Sequence, residues 1–160
     1  MTYVLQTRCG QEEKFCQRLK QSGLNAFVPM KNLFIRRKGK WTLQTAPIFG
    51  GYIFLNAEMN SDIRRQICQT EGVRFIGNGV PTAISQTESA YIDFLYNGGQ
   101  PLPPSKVRVD ENGRVQLVSG ILANYEDSGI IFHLRQRRAF VSIPIMGKMR
   151  TVSFGLVIVK

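Results

Sequence analysis

Histidine, tryptophan and cysteine are scarce in this 160-residue chain, which has one His, one Trp and three Cys. The lone histidine, His133, and cysteines without a base partner in sequence leave little for acid–base or nucleophilic catalysis. Cys9, Cys16 and Cys68 are odd in number, all lie in the first half and show no Cys-x-x-Cys spacing. That pattern fits a reducing compartment better than a disulfide scaffold, and no metal or cofactor is expected. No phosphate-binding glycine loop precedes a helix: Gly50-Gly51 suits the start of a strand, and Gly98-Gly99 suits a linker. An enzyme is therefore not expected. The longest apolar run, residues 48–55, is far below the roughly 20 residues that cross a bilayer. The Met1 end lacks a basic-then-apolar signal segment. A cytoplasmic protein, neither secreted nor inserted in a membrane, is the expectation.

Acidic residues are the other shortage. Eleven Asp and Glu face 21 Lys and Arg, a net charge of +10 with a pI near 10.0. Dividing the chain at Gln100 leaves 12 basic against 7 acidic residues before it and 9 against 4 after it, so each part carries +5. Such a balance favours phosphate-rich partners through steering and counterion release, although a merely soluble basic domain would share it.

The composition is otherwise that of packed domains, with 43% hydrophobic residues. Asn97-Gly98-Gly99-Gln100-Pro101-Leu102-Pro103-Pro104-Ser105 reads as a seam, because glycine frees the backbone and closely spaced prolines favour an extended spacer. The expected organisation is an α+β module over 1–97, a linker over 98–105 and a second module over 106–160.

In the first module residues 3–6 read as a strand, and Phe15 and Leu19, four apart, mark one face of a helix over 11–21. A run over 26–35 leads through Arg36-Arg37-Lys38-Gly39-Lys40 to Trp41-Thr42-Leu43, a hairpin with a basic tip. Gly51-Tyr52-Ile53-Phe54-Leu55 suits a buried central strand. Ser61 can cap a helix carrying Ile63 and Ile67, and a strand follows over 73–76. Ser85-Gln86-Thr87-Glu88 has capping-box spacing before a helix with Tyr91, Phe94 and Leu95 on its buried face. These elements make an α/β sandwich with a mostly antiparallel sheet. The second module reads as about five short strands, the first two joined at Asn112-Gly113, with no helix between them. A small closed barrel removes the edges such strands would expose.

The chain resembles the NusG transcription elongation factors over essentially its whole length. Tyr3-Val4-Leu5-Gln6 is similar to their opening strand, and Phe49-Gly50-Gly51-Tyr52-Ile53-Phe54 to their Phe-Pro-Gly-Tyr signature. Gly72-Val73-Arg74-Phe75-Ile76-Gly77 and Ile84-Ser85 follow in the family's order. Gly120-Ile121-Leu122, Gly129-Ile130-Ile131, Arg138-Ala139-Phe140-Val141 and Ile145-Met146-Gly147-Lys148 resemble the KOW motif, which implies an SH3-like KOW barrel. Gly50 stands where the signature has proline, Ile121 replaces the proline of the Gly-Pro loop, and Thr2 replaces a tryptophan. These departures, with the arginine-rich turn after His133, resemble specialised paralogues of the LoaP type.

The resemblance implies a monomer without enzymatic activity or cofactor. Its first domain would bind the clamp helices of RNA polymerase through Tyr3, Phe49, Tyr52 and Phe54, although Tyr52 and Phe54, on one face of a strand, can equally fill the core, and Phe49, beside the paired glycines, is the better surface candidate. Arg8, Arg64, Arg65 and Arg74 fall where the family approaches non-template DNA or the gate loop, and Arg36, Arg37 and Lys38 add charge at the hairpin tip. Solvated helix-face charge is the rival reading for Arg64 and Arg65. Arg135, Arg137 and Arg138, with Lys148 and Arg150 near the next turn and His133 beside them, would form one basic end that reads a nascent RNA hairpin. The bland alternatives are a solvated turn and an exposed histidine. The leading expectation is an operon-specific processive antiterminator. The alternatives are a general factor coupling polymerase to a ribosomal protein or Rho, and a ribosome-associated KOW RNA-binding protein.

Overall fold

A computed structural model describes residues 1–76 and 80–160. Gly77, the last residue of one family-like stretch, lies outside the described residues. The chain divides into two compact units, Met1–Pro29 with Phe49–Tyr96, and Met30–Ile48 with Asn97–Lys160.

The first unit is α+β. Its sheet contains β1 (Thr2–Gln6), β2 (Asn25–Phe27), β5 (Tyr52–Asn56) and β6 (Arg74–Phe75), in the order β2-β5-β1-β6 with antiparallel neighbours. Central β1 and β5 are apolar on both faces, and Leu5, Ile53, Phe54 and Leu55 are fully buried. Helix α1 (Glu12–Gln21) contributes Cys16 and Leu19 to the core, α2 (Ser61–Gln69) contributes Ile67, and α3 (Gln86–Tyr96) contributes Ile92 and Leu95. Two sequence expectations need correction. The cap of α2 is Asn60, whose Oδ1 accepts from the Ile63 amide at 2.8 Å, and Ser61 is already helical. Phe94 is 52% exposed, so Ile92 and Leu95 mark the buried face of α3. The Ser85 hydroxyl does accept from the Glu88 amide at 3.1 Å, as its spacing predicts.

The second unit combines a hairpin with a five-stranded sheet. The hairpin is β3 (Met30–Arg37) with β4 (Lys40–Pro47). The sheet holds β7 (Ser105–Val109), β8 (Val115–Ser119), β9 (Ile131–His133), β10 (Arg138–Ile145) and β11 (Lys148–Ile158), ordered β8-β7-β11-β10-β9. Strand β11 is long enough to pair with both β10, antiparallel, and β7, parallel from Leu156↔Ser105. Between β8 and β9 a 3-10 segment, Ile121–Ser128, buries Ile121, Leu122 and Tyr125, where sequence reading expects no helical turn.

The hairpin belongs to this second unit rather than to the N-terminal module expected over 1–97. Gly155 shows why it fits: a Cβ there would lie 2.6 Å from the Asn32 carbonyl oxygen, so β11 lets β3 approach only because it carries glycine at that point. The expected spacer over 98–105 is also tied down. The Leu102 amide donates to the Met30 carbonyl at 2.9 Å, and the Asn32 amide donates to the Leu102 carbonyl at 2.8 Å. Leu102 is buried and Ser105 already begins β7, so the proline-rich half of the seam extends along β3 as part of the unit.

This division relocates the charge. The first unit contains 7 basic and 7 acidic residues, and the second contains 14 basic and 4 acidic residues. The whole net charge of +10 therefore belongs to the second unit.

Candidate nucleic-acid interface

In the second unit, the hairpin turn at Lys38 and Gly39 has positive φ at both central residues (51° and 76°), the geometry whose twist matches paired strands. The register sets Arg36 opposite Trp41 and Phe34 opposite Leu43, so Phe34, Arg36 and Trp41 share one face. The turn after β9 meets that face. Its Leu134–Gln136 segment is a 3-10 turn ending at Arg137, which has φ of 53°. The Arg137 carbonyl accepts from the Leu156 amide at 2.9 Å. The Arg137 guanidinium carbon lies 4.5 Å from the Trp41 ring centroid and 5.4 Å from that of Phe34. Arg36, Arg135, Gln136 and Arg138 join Phe34, Ile35 and Trp41 around a groove of about 380 Å³.

Lys31 anchors this arrangement from below. Its side chain is buried, and its Nζ donates to the Ser153 carbonyl and, at 3.1 Å, to the Ser153 hydroxyl. Burial, and then the neighbouring positive charge of Arg138, lower its pKa to about 8. His133 pairs with Arg138 across β9 and β10, and its exposed ring meets Phe140 edge-on at 5.0 Å.

Lys148 and Arg150 are not part of this site, which corrects the expected single basic end. Lys148 pairs with Ile145 and Arg150 with Ile143, whereas Arg138 pairs with Gly155 at the far end of the same ladder. Along β10 the partner of Lys148 lies seven residues from Arg138 and that of Arg150 five, about 23 Å and about 17 Å at about 3.3 Å per residue. The hairpin takes their place: Arg36, expected at a polymerase or DNA contact, lies with Arg135 and Arg138, while Arg37 and Lys38 are exposed nearby at the tip.

The first unit has a second basic groove, of about 880 Å³, where Arg8 and Arg74 come together with Lys14 and Arg18. Phe15 forms an aromatic wall there, with Lys14 and Arg18 over its ring at 5.6 and 5.2 Å. Gly72 lies against that ring with φ of 88°, and a Cβ at this position would collide with it. Arg74 donates to Gln6 Oε1 at 3.1 Å. Arg64 and Arg65 are exposed on α2, outside this lining, and Arg65 faces Asp62 at 3.9 Å. Those two arginines therefore fit solvated helix-face charge.

The aromatic quartet expected to dock on polymerase lies in the core. Tyr3, Phe49, Tyr52 and Phe54 are 6%, 3%, 7% and 0% exposed. Phe49 packs on Tyr52 and edge-on to Phe54 within the first unit, so these rings shape the unit rather than project from it. Sequence reading misses Lys14, Phe15 and Arg18, although their spacing places two cations around one ring, and misses Trp41 and Phe34 because the hairpin's partner is distant in sequence. No helix among the described residues is long and apolar enough to cross a membrane.

Residues 3–93, more than half of the chain, match the family model NusG, transcription termination factor nusG. The transcription termination/antitermination protein NusG of Chlamydia pneumoniae is 26% identical over 157 residues, covering 91% of this chain and 86% of that protein. The protein of the same name from Chlamydia trachomatis serovar D is 24% identical over 159 residues with the same coverage. That of Helicobacter pylori strain J99 is 24% identical over 125 residues, covering 76% of this chain and 70% of its own. A chain in a crystal structure of an MjSpt4:Spt5 complex aligns over 95% of this chain and 92% of its own at 14% identity, with a TM-score of 0.36. The chain belongs to the NusG family of transcription factors.

Proposed function

We propose that this protein is a specialised NusG-type elongation regulator of the LoaP kind, which docks on RNA polymerase and holds a structured leader RNA to cause operon-specific antitermination. The supporting observation is the concentration of charge and aromatic surface in the second unit, a KOW-type domain in this reading. There Arg36, Arg135 and Arg138 surround Trp41. Positive charge beside stacking surface is the chemistry that RNA binding uses, because phosphates take the arginines and unpaired bases take the ring. Docking on polymerase is assigned to the first unit, with Arg8, Lys14, Arg18 and Arg74 as its surface toward non-template DNA.

The relatives' shared name, termination/antitermination protein, favours a second reading as a general elongation factor. The turn between β10 and β11, with Met146 at φ of 54°, would then engage a ribosomal protein or Rho. Transcription across an intrinsic terminator, from templates with and without a structured leader, separates the two. Readthrough only with the leader supports the specialised role. An equal effect on both templates supports the general one. No effect on either removes the specialised role, and repeating the assay with Rho at a Rho-dependent terminator then tests the general one.

A further inference from the structure

We propose that the Trp41–Arg137 stack and the groove beside it take an unstacked base from an RNA loop, with Arg36, Arg135 and Arg138 holding the phosphates on either side. The inference rests on the reading that the second unit holds RNA, and it names the part of the RNA that this site takes.

Duplex RNA is recognised mainly through shape, 2′-hydroxyls and phosphates, for which exposed arginines suffice. This site has more than arginines. Trp41, the single tryptophan of the chain, stands half-buried at the groove, and the Arg137 guanidinium lies 4.5 Å from its ring centroid. Aromatic rings and guanidinium planes are the two side-chain surfaces on which splayed bases stack. The groove, at about 380 Å³, is near the lower end of the roughly 300–1,000 Å³ that encloses small ligands. That is space for a base and its sugar, not for a helix. Gln136 at its edge has both a donor and an acceptor for a base edge, and among the described residues no acidic side chain lines it.

The site is also formed in advance. Arg137 holds a left-handed backbone (φ 53°), which costs a non-glycine residue energy. Its carbonyl is held by the Leu156 amide, and the hairpin is fixed from behind by Lys31 on Ser153. A base entering such a site pays little for ordering it.

The test uses the full chain with three synthetic probes: an RNA stem-loop with an adenine-rich loop, the same stem as a blunt RNA duplex, and the DNA version of the stem-loop. Intrinsic fluorescence reads Trp41 directly, and anisotropy of labelled probe reads affinity. The expected result is quenching of Trp41 by the RNA stem-loop and not by the duplex, with binding at least about fivefold tighter than to the duplex. Trp41→Leu should abolish that preference, so that stem-loop and duplex bind alike, and Trp41→Phe, which keeps a ring against Arg137, should retain part of it. Equal binding of loop and duplex with unmoved Trp41 emission overturns the base site. If Arg135→Ala and Arg138→Ala still weaken binding in that case, the RNA reading survives without it. Failure of every RNA to bind removes both, and equal binding of the DNA stem-loop overturns the assignment to RNA.

Discussion

The Arg137 guanidinium carbon lies 4.5 Å from the Trp41 ring centroid, joining residues from the turn after β9 and the second strand of the hairpin. A two-stranded hairpin is marginal alone in water, so its order depends on such ties. Lys31 to Ser153 and Leu102 to Met30 and Asn32 are two more of them. The same contacts that stabilise the hairpin therefore set the geometry of the groove.

A double-mutant cycle of Arg137→Ala and Trp41→Leu should show coupling of about 0.5–2 kcal/mol in urea unfolding, the range for a cation over an aromatic face. Arg137→Gly should be less damaging than Arg137→Ala by about 1 kcal/mol, because glycine adopts the left-handed backbone of this turn without strain. Equal losses for the two variants would show that the backbone conformation carries no cost.

Lys31 gives a pH dependence with a definite sign. Its pKa is lowered from 10.5 to about 8 by burial and by Arg138. Below pH 8 it is charged in both folded and unfolded chains, and the folded state bears the full cost of burying that charge. Between about pH 8 and 10.5 the unfolded chain holds more protons, so this group makes stability rise with pH, by on the order of 3 kcal/mol in all. Thermal melts across this window should lose that component in Lys31→Met. A parallel pH profile in the variant would falsify the assignment.

Several elements of the first unit are legible in its sequence, because apolar alternation is a local signal: the strands over 3–6 and 51–55, the helix over 11–21 and the helix after Ser85 are all present. The buried face of α1 is less legible, being Cys16 and Leu19, while Phe15 is the wall of a groove. Helix caps are also less legible, since Asn60 and Ser61 are both competent capping residues and only backbone geometry separates them. The hairpin turn is legible in the sequence, but the continuous run over 26–35 hides the break between β2 and β3. The hairpin's place in space is not legible either, because its partner, β11, begins more than a hundred residues later and needs the gap at Gly155. Sequence proximity puts Lys148 and Arg150 with the arginine turn, because it hides ladder direction. In an antiparallel pair, residues close to one turn are far from the other. The same non-local packing concentrates in one unit a charge that a cut at Gln100 divides evenly.

Gly72 and Phe15 should behave as a coupled pair in the first unit. Gly72→Ala forces a Cβ into the Phe15 ring and imposes φ of 88° on alanine, so a loss of about 2 kcal/mol or more is expected. Phe15→Leu should relieve the steric part of that loss but not the backbone part. The double variant would then be more stable than the sum of the single effects, as chemical denaturation can measure.

The opposite ends of the β10–β11 ladder give the most direct test of where RNA lies. Arg135 and Arg138 flank the Trp41 groove, whereas Lys148 is about 23 Å along the ladder from Arg138. If phosphates bind at the groove, Arg135→Ala and Arg138→Ala should each lower the slope of log affinity against log salt by about 0.7–1. Lys148→Ala removes the same formal charge from the same unit and should leave that slope unchanged. Diffuse attraction to the unit's net charge would instead make all three variants alike. Titrations at several salt concentrations thus separate a localised site from a generally basic surface, which net charge alone cannot do.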